Sequence, residues 1–310
     1  MAGILTITLN PAVDISATVD VLRPHDKLRT RRLDYAAGGG GINVARTATT
    51  LGTPSTAVTV LGGCPGDHFR TMATHEGIDL IPVEGGGTTR ESFKIFETRR
   101  GLEYRFVPPG PHQPGEVGDA VMDRVKALLE DGDFAFIVLS GSFPPGLPDD
   151  IIPRLAELGK QRNKRVIVDT SGPPLKTAAK TDLFLIKPNI HEVSELADGR
   201  HCGYRAAARK LARAGNLSAV IVTLGRDGAY LATPEIECQF RPPAVEAVST
   251  VGAGDTFIGA LCHAITQDWA LADACRLGVA AATAAVAIPA TEAVKREDIH
   301  EFYDRVNAVP

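Results

Sequence analysis

Three glycine clusters carry the chemical interest of this chain: Gly38-Gly39-Gly40-Gly41-Ile42-Asn43, Gly62-Gly63 and Gly252-Ala253-Gly254-Asp255. Neither of the common nucleotide cradles accounts for them. A dinucleotide fingerprint needs glycine at its first, third and sixth positions, but Gly38 and Gly40 lead to Asn43, while Gly252 and Gly254 lead to Phe257. No G-x-x-x-x-G-K-[ST] sequence occurs either. The segment Ser249 to Ala260 offers a different cradle, because its small residues run into an apolar helical pattern. Backbone N–H groups exposed at a helix start attract an anion, and the helix dipole adds roughly half a positive charge there. Asp255 is then the informative residue. A carboxylate beside an anion site repels the ligand unless it has a task, and accepting the proton of an attacking hydroxyl is such a task. The other reading is a helix cap.

The elements that must position these residues follow from the hydrophobic pattern. Apolar runs at Ile4 to Leu9, Ala57 to Leu61, Phe134 to Leu139, Val166 to Asp169, Leu183 to Lys187 and Val220 to Leu224 alternate with longer helical stretches. Several are apolar nearly throughout, as parallel strands covered on both faces are. This predicts an α/β chain with a doubly wound, mostly parallel sheet and helices on both faces. In such sheets ligands bind beyond the carboxyl ends of the strands. Those ends carry Ser140-Gly141-Ser142, Asp169-Thr170-Ser171, Lys187-Pro188-Asn189 and Gly225, which should share one rim. Leu277 to Ala290 reads as a buried helix.

Two segments break the rhythm, within residues 13–36 and 88–110. Alternation such as Ser92-Phe93-Lys94-Ile95-Phe96-Glu97 and Tyr104-Arg105-Phe106 predicts half-exposed strands forming a small inserted sheet. A sheet of so few strands needs its apolar face covered, which points to a lid over the site and to a homodimer through it. The Pro/Gly cluster from Pro108 to Gly115 marks the exit, and the 310 residues otherwise read as one domain without repeats or linkers.

Composition excludes several classes of function. The 33 Lys and Arg against 37 Asp and Glu give a net charge of -4, with no basic face for nucleic acid. No run approaches a membrane span, and the start MAGILTITLNPAVD lacks the basic region of a secretory signal. Five cysteines, odd in number and without a C-x-x-C pair, suggest neither a disulfide framework nor a zinc site. A reducing cytoplasm is the expected setting.

Taken together, the motifs resemble the PfkB (ribokinase-like) family of sugar kinases over essentially the full chain. STVGAGDTFIGAL matches that family's carboxyl-terminal signature, AAGGGGINVAR its usual amino-terminal companion, and KPNIHEVSEL its N-x-x-E motif. TLNPAVD, LSGSFPPG and VDTSG are similar to the sugar-phosphate branch. Within that branch, Lys27-Leu28-Arg29, the uninterrupted glycines 38 to 41 and the stretch from Tyr104 to Gly110 resemble the minor-type 6-phosphofructokinases. Relatives usually carry a lysine where Gly40 stands here.

The resemblance implies ATP-dependent phosphorylation of fructose 6-phosphate at its C1 hydroxyl, giving fructose 1,6-bisphosphate. Tagatose 6-phosphate and fructose 1-phosphate are the alternative acceptors. A kinase of an unphosphorylated sugar, or a chain that only binds sugar phosphate, is a more distant reading. Asp255 becomes the general base, and Gly252, Ala253 and Gly254 an anion hole for the transferring phosphoryl group. Asp14, Gly39, Asn43 and Ser140 fall on positions that contact sugar hydroxyls. Lys27, Arg90 and Arg105 supply cations for the sugar's own phosphate, as Arg suits forked phosphate recognition. Lys187 and Asn189 reach the nucleotide, and Glu192 orients Mg²⁺ through water; Asn189 and Glu192 also have the spacing of a capping box. Thr223, Gly225 and Gly228 form a loop over the nucleotide, and Val279 and Thr283 line the adenine pocket. After that helix, Ile288-Pro289-Ala290-Thr291 departs from the family's pattern, and Pro289 removes a backbone donor, which puts a monovalent-cation site in doubt.

Overall fold

The computed structural model describes residues 2–30, 33–148, 150–196, 203–289 and 292–309. In chain order the first part holds β1 (Gly3–Thr8), β2 (Ala12–Val19), β3 (Leu33–Gly38), α1 (Gly40–Thr50), β4 (Ser55–Leu61), α2 (Gly63–His75), β5 (Asp79–Glu84), β6 (Arg90–Glu97), β7 (Leu102–Phe106) and α3 (Gly115–Asp131). Then follow β8 (Phe134–Ser140), α4 (Ile151–Gln161), β9 (Arg165–Asp169), α5 (Gly172–Ala178), β10 (Leu183–Ile186), α6 (Ile190–Leu196), α7 (Tyr204–Ala212) and β11 (Leu217–Thr223). The chain closes with β12 (Ala229–Ala232), β13 (Glu237–Arg241), α8 (Ala253–Thr266), α9 (Leu271–Val286), α10 (Arg296–Arg305) and β14 (Asn307–Val309).

The large sheet has ten strands in the order β14-β13-β12-β11-β10-β9-β8-β1-β4-β5. Pairing is parallel from β5 to β11 and antiparallel from β11 to β14. Strand alternation sends successive residues to two separate cores. Leu5, Ile7, Ile137, Leu139, Val220 and Val222 meet α3, α4 and α7, whereas Ile4, Phe136, Val138, Ala219 and Ile221 meet α1, α8 and α9. Both faces are thus covered, which is why the strands read as continuous apolar runs.

All six expected strands are present, with ends shifted by up to three residues. The expected helix at Leu277 to Ala290 starts earlier, at Leu271, and stops at Val286, while Ala290 lies outside the described residues. Two features escaped the pattern. Strand β5 contains Pro82 and survives because it is an edge strand, where a missing donor costs no ladder bond. The short β12, β13 and β14 form a meander rather than further βα units.

The segments that break the rhythm form a separate four-stranded sheet, β3-β2-β6-β7. Its two faces differ sharply. Val13, Ile15 and Ala37 turn with Ile42 of α1 and Phe69 of α2 into a third core. By register, Asp14, Ser16, Ser92, Lys94 and Arg105 share the opposite, polar face. Among the described residues, no helix is long and apolar enough to cross a membrane.

Candidate active site

The order of the large sheet fixes where a ligand can bind. From β1 the chain moves outward to β4 and β5, then returns to the other side of β1 with β8 and continues through β9, β10 and β11. The reversal at β1 and β8 opens a crevice at the carboxyl ends of the strands. Into that crevice come Ser140 at the end of β8, Asp169 at the end of β9, Lys187 just past β10, and the first turns of α1 and α8.

At the first turn of α8, Gly252 adopts the left-handed conformation (φ 74°), which an L side chain takes only with strain. The N–H groups of the residues that follow have no intrahelical acceptor, so they point out of the helix end as donors. Gly252, not Asp255, is the N-cap residue. Asp255 sits inside the first turn, and its carboxyl accepts from Asn43 Nδ2 at 2.9 Å and from Ser140 Oγ at 3.2 Å. The capping alternative for Asp255 is therefore set aside. The carboxyl is partly buried, and desolvation raises its pKa, reinforced by the nearby charge of Asp169 and opposed by Asn43, Lys187 and Ser140.

Lys187 Nζ pairs with Asp169 Oδ1 at 3.1 Å, both side chains being largely buried. Its ammonium also borders the α8 turn, since a Cβ on Gly254 would lie only 2.9 Å from it. A cation and a helix start thus converge on one spot, balanced by Asp169 and Asp255. Ser140 Oγ bridges the two carboxylates, lying 3.4 Å from Asp169 Oδ2. Glycine at position 40 permits this packing, because a Cβ there would come 2.3 Å from Ser140 Oγ and 2.7 Å from the Gly141 nitrogen.

The small sheet brings Asp14 to the edge of the same crevice. Its half-buried carboxyl has a raised pKa, mainly through desolvation, and is countered by a hydrogen bond from Ser92 and by the charges of Arg90, Arg105 and Arg46. Gly39 ends the link between β3 and α1 with φ 135° and lies against Thr8 and Pro11.

The other expected site residues fare differently. Arg90 donates to the carbonyls of Asn10 (2.9 Å), Pro11 (3.4 Å) and Pro108 (3.1 Å), so part of its guanidinium is committed to tying β6 to the β1–β2 turn. Arg105 is exposed on the polar face of the small sheet, opposite Lys94 in register. Lys27 is exposed in the segment joining β2 to β3. Asn189 and Glu192 form the capping box: Asn189 Oδ1 accepts from His191 N and Glu192 N, and Glu192 Oε2 accepts from Asn189 N. Thr223 ends β11, and Gly225 and Gly228 bound an exposed turn of 3₁₀ helix beside it. Val279 and Thr283 are packed into the core, where the Thr283 hydroxyl donates to the Val279 carbonyl at 2.7 Å. Both pack in the core of the α8–α9 helix pair. Thr291 and Ala290 of the expected cation region lie outside the described residues.

Sequence reasoning gave no individual role to four members of this neighbourhood. Asp169 had a signal, since it ends a predicted strand on the same rim as Ser140 and Lys187. Lys94 had one too, in its alternation with Ser92. Its ammonium lies 3.0 Å from Glu103 Oε2 and 3.4 Å from Ser249 Oγ, and so links the small sheet to the loop before α8. Ser249 is buried and also accepts from Val251 N. Arg46 gave no signal beyond standing one helical turn after Asn43. Beside these residues runs a cavity of about 400 Å³, lined in part by Asp14, Asn43, Arg46, Glu76 and Gly252.

Comparison with known proteins agrees with this geometry. Residues 3–296 match the family described as pfkB family carbohydrate kinase. The chain is 36% identical over 304 residues to the ATP-dependent 6-phosphofructokinase isozyme 2 of Mycobacterium tuberculosis, covering 97% of this chain and 89% of that protein. It is 34% identical over 284 residues to the 1-phosphofructokinase of Bacillus subtilis, covering 91% of each. A crystal structure of phosphofructokinase-2 from Escherichia coli in complex with fructose-6-phosphate superposes with a TM-score of 0.90 at 32% identity, over 98% of this chain and 99% of that one.

Proposed function

The chain belongs to the pfkB family of carbohydrate kinases, and from that premise we propose that it transfers the γ-phosphoryl group of ATP to the C1 hydroxyl of fructose 6-phosphate. The observation that carries this reading is the carboxyl of Asp255, partly buried, held by Asn43 and Ser140, and set in the helix turn that offers free N–H donors. Fructose 6-phosphate is preferred because the isozyme-2 relative bears that activity in its name and because a neighbour of the same fold binds the sugar.

In this reading Asp255 takes the C1 hydroxyl proton while that oxygen attacks the γ-phosphorus, and ADP leaves. A carboxyl whose pKa is lifted by burial is a stronger base than an ordinary carboxylate. The N–H groups following Gly252, together with Lys187, face the charge that spreads over the transferring group. Asp14, Gly39 and Asn43 orient the sugar. Arg105, Lys27 and the uncommitted donors of Arg90 hold its phosphate. Lys187, Asn189, Thr223, Gly225 and Gly228 border the nucleotide.

No group of three or more His, Cys, Asp or Glu side chains gathers to hold a metal among the described residues. This suits Mg²⁺ arriving on the nucleotide, since magnesium keeps several waters and takes few protein ligands. Glu192, with one oxygen engaged in the capping box, would touch it through water, and the ion would offset phosphate charge.

The small sheet acts as a lid in this scheme, with Lys94 joining it to the loop before α8. The face that packs Val13, Ile15 and Ala37 against α1 and α2 continues into Leu33, Tyr35, Phe93, Leu102 and Phe106, which are exposed, Phe106 by 57%. A second copy of the chain covering that face would make a homodimer. The unpaired thiols of Cys64, Cys238, Cys262 and Cys275 suit action in a reducing cytoplasm.

The similarity to a 1-phosphofructokinase supports a second reading with fructose 1-phosphate as acceptor. Initial rates with MgATP and fructose 6-phosphate, fructose 1-phosphate, tagatose 6-phosphate or free fructose separate the possibilities. The highest kcat/KM is expected for fructose 6-phosphate. A preference for fructose 1-phosphate would favour the second reading, and equal use of free fructose would remove the role given to the lid cations.

A further inference from the structure

We propose that Arg46 is a positioning residue for the catalytic base, acting by fixing which end of the Asn43 side chain faces Asp255; the proposal rests on Asp255 being that base. Arg46 and Asn43 lie one turn apart on α1. Arg46 donates through one terminal nitrogen to Asn43 Oδ1 at 2.5 Å and through the other to the Ala37 carbonyl at 2.8 Å, while its Nε donates to Glu76 Oε2 at 2.7 Å. Three acceptors from three elements, α1, β3 and the end of α2, therefore hold the guanidinium in one orientation.

The consequence for Asn43 follows from donor and acceptor chemistry. A guanidinium can only donate, so the amide oxygen must turn toward it and the amide nitrogen must turn away. The nitrogen then lies 2.9 Å from Asp255 Oδ2 and donates to it. Were the amide reversed, its oxygen would face a carboxylate, two acceptors in contact with no proton between them. The Asp255 carboxylate, an acceptor, selects the same end, and Arg46 fixes that choice from the other side of the amide. The Glu76–Arg46–Asn43–Asp255 chain thus both aims the base and favours its ionised form. Glu76 offsets the charge of Arg46, so the positive charge need not act on the substrate directly.

The test measures kcat against pH at saturating MgATP and sugar phosphate for Arg46→Gln, Arg46→Lys, Asn43→Ala and the double variant Asn43→Ala/Arg46→Gln, with Asp255→Asn alongside. Misplacement of a catalytic group by a fraction of an ångström to 1 Å costs up to about 100-fold, so Arg46→Gln is expected to lower kcat by about 10- to 100-fold. Its acid limb should move to higher pH, because Asp255 loses a donor that favours its ionised form. Arg46→Lys should recover part of the loss. The double variant should be no slower than Asn43→Ala alone, since Arg46 acts through Asn43. The proposal is overturned if Arg46→Gln keeps the wild-type acid limb, or if the losses of the two single variants multiply. Should Arg46→Gln not fold, Arg46→Lys carries the same comparison, because a lysine cannot reach all three acceptors. Turnover by Asp255→Asn would instead overturn the reading of the base itself, whereas an inactive Asp255→Asn beside an unshifted Arg46→Gln would fault Arg46 alone.

Discussion

Asp255 concentrates the conflict between stability and function at the level of single residues. Burial and the neighbouring charge of Asp169 raise its pKa, so the folded chain holds that proton more tightly than the unfolded chain. The sign of the linkage follows: the group contributes stability below its unfolded pKa and loses it as pH rises through its folded value. At neutral pH, above the unfolded pKa, the group is therefore a destabilising feature retained for its chemistry. Asp255→Asn should melt at a higher temperature than the wild type near pH 7, with the gap closing toward pH 4. A thermal melt across that range checks it, and an unchanged gap would mean that burial of the charge carries no cost. Much at this scale could be read in advance, since glycine, aspartate and lysine at strand ends and helix starts announce themselves by type. What could not be read was how donors are shared. Arg90 looked like a ligand for phosphate and is partly spent on three backbone carbonyls. Asn189 was expected on the nucleotide and Glu192 beside Mg²⁺ through water, and the capping box whose spacing the sequence also showed now engages both.

Among the elements, the site depends on how closely helices and sheets approach. Helix α8 meets α1 at Gly259, where a Cβ would come 2.7 Å from the Val44 carbonyl, and this contact sets Asn43 opposite Asp255. The small sheet meets the loop before α8 through Lys94 and Ser249, a contact between the surface that holds the sugar and the loop that leads to the anion site. Lys94→Ala should raise the KM for sugar phosphate by about 3- to 10-fold, the size of one ordinary net hydrogen bond, with a change in Tm of no more than a few degrees. An unchanged KM would mean that the two elements are not coupled through this residue. The strands of the large sheet were legible because both faces are covered, which leaves unbroken apolar runs. The antiparallel meander of β12, β13 and β14 was not, because its strands are only three to five residues long. Pro82 hid β5 for a different reason, as proline argues against a strand unless the strand is at an edge.

For the whole molecule, the doubly wound order places the crevice beside β1 and leaves the small sheet projecting from it, with its apolar face only partly covered by α1 and α2. A monomer in water would leave Tyr35, Phe93 and Phe106 in solvent. Replacing Phe106 by Asp should convert dimer to monomer in sedimentation at micromolar concentration, while the large sheet keeps its far-ultraviolet circular dichroism. A dimer that persists in this variant would place the interface elsewhere. The need for such cover was readable from the half-exposed strands alone, whereas the identity of the cover was not, because a partner chain leaves no mark on the pattern beyond the exposed residues themselves.

The central claim is that Asp255 takes a proton in the step that transfers phosphate and is not a structural group. Turnover and ligand affinity, measured together for Asp255→Asn, test it most directly. General-base catalysis contributes about 10²- to 10⁴-fold, so kcat should fall by at least that range while the dissociation constants for ATP and fructose 6-phosphate stay within about threefold. Retained turnover, or affinity lost in step with kcat, would contradict the account.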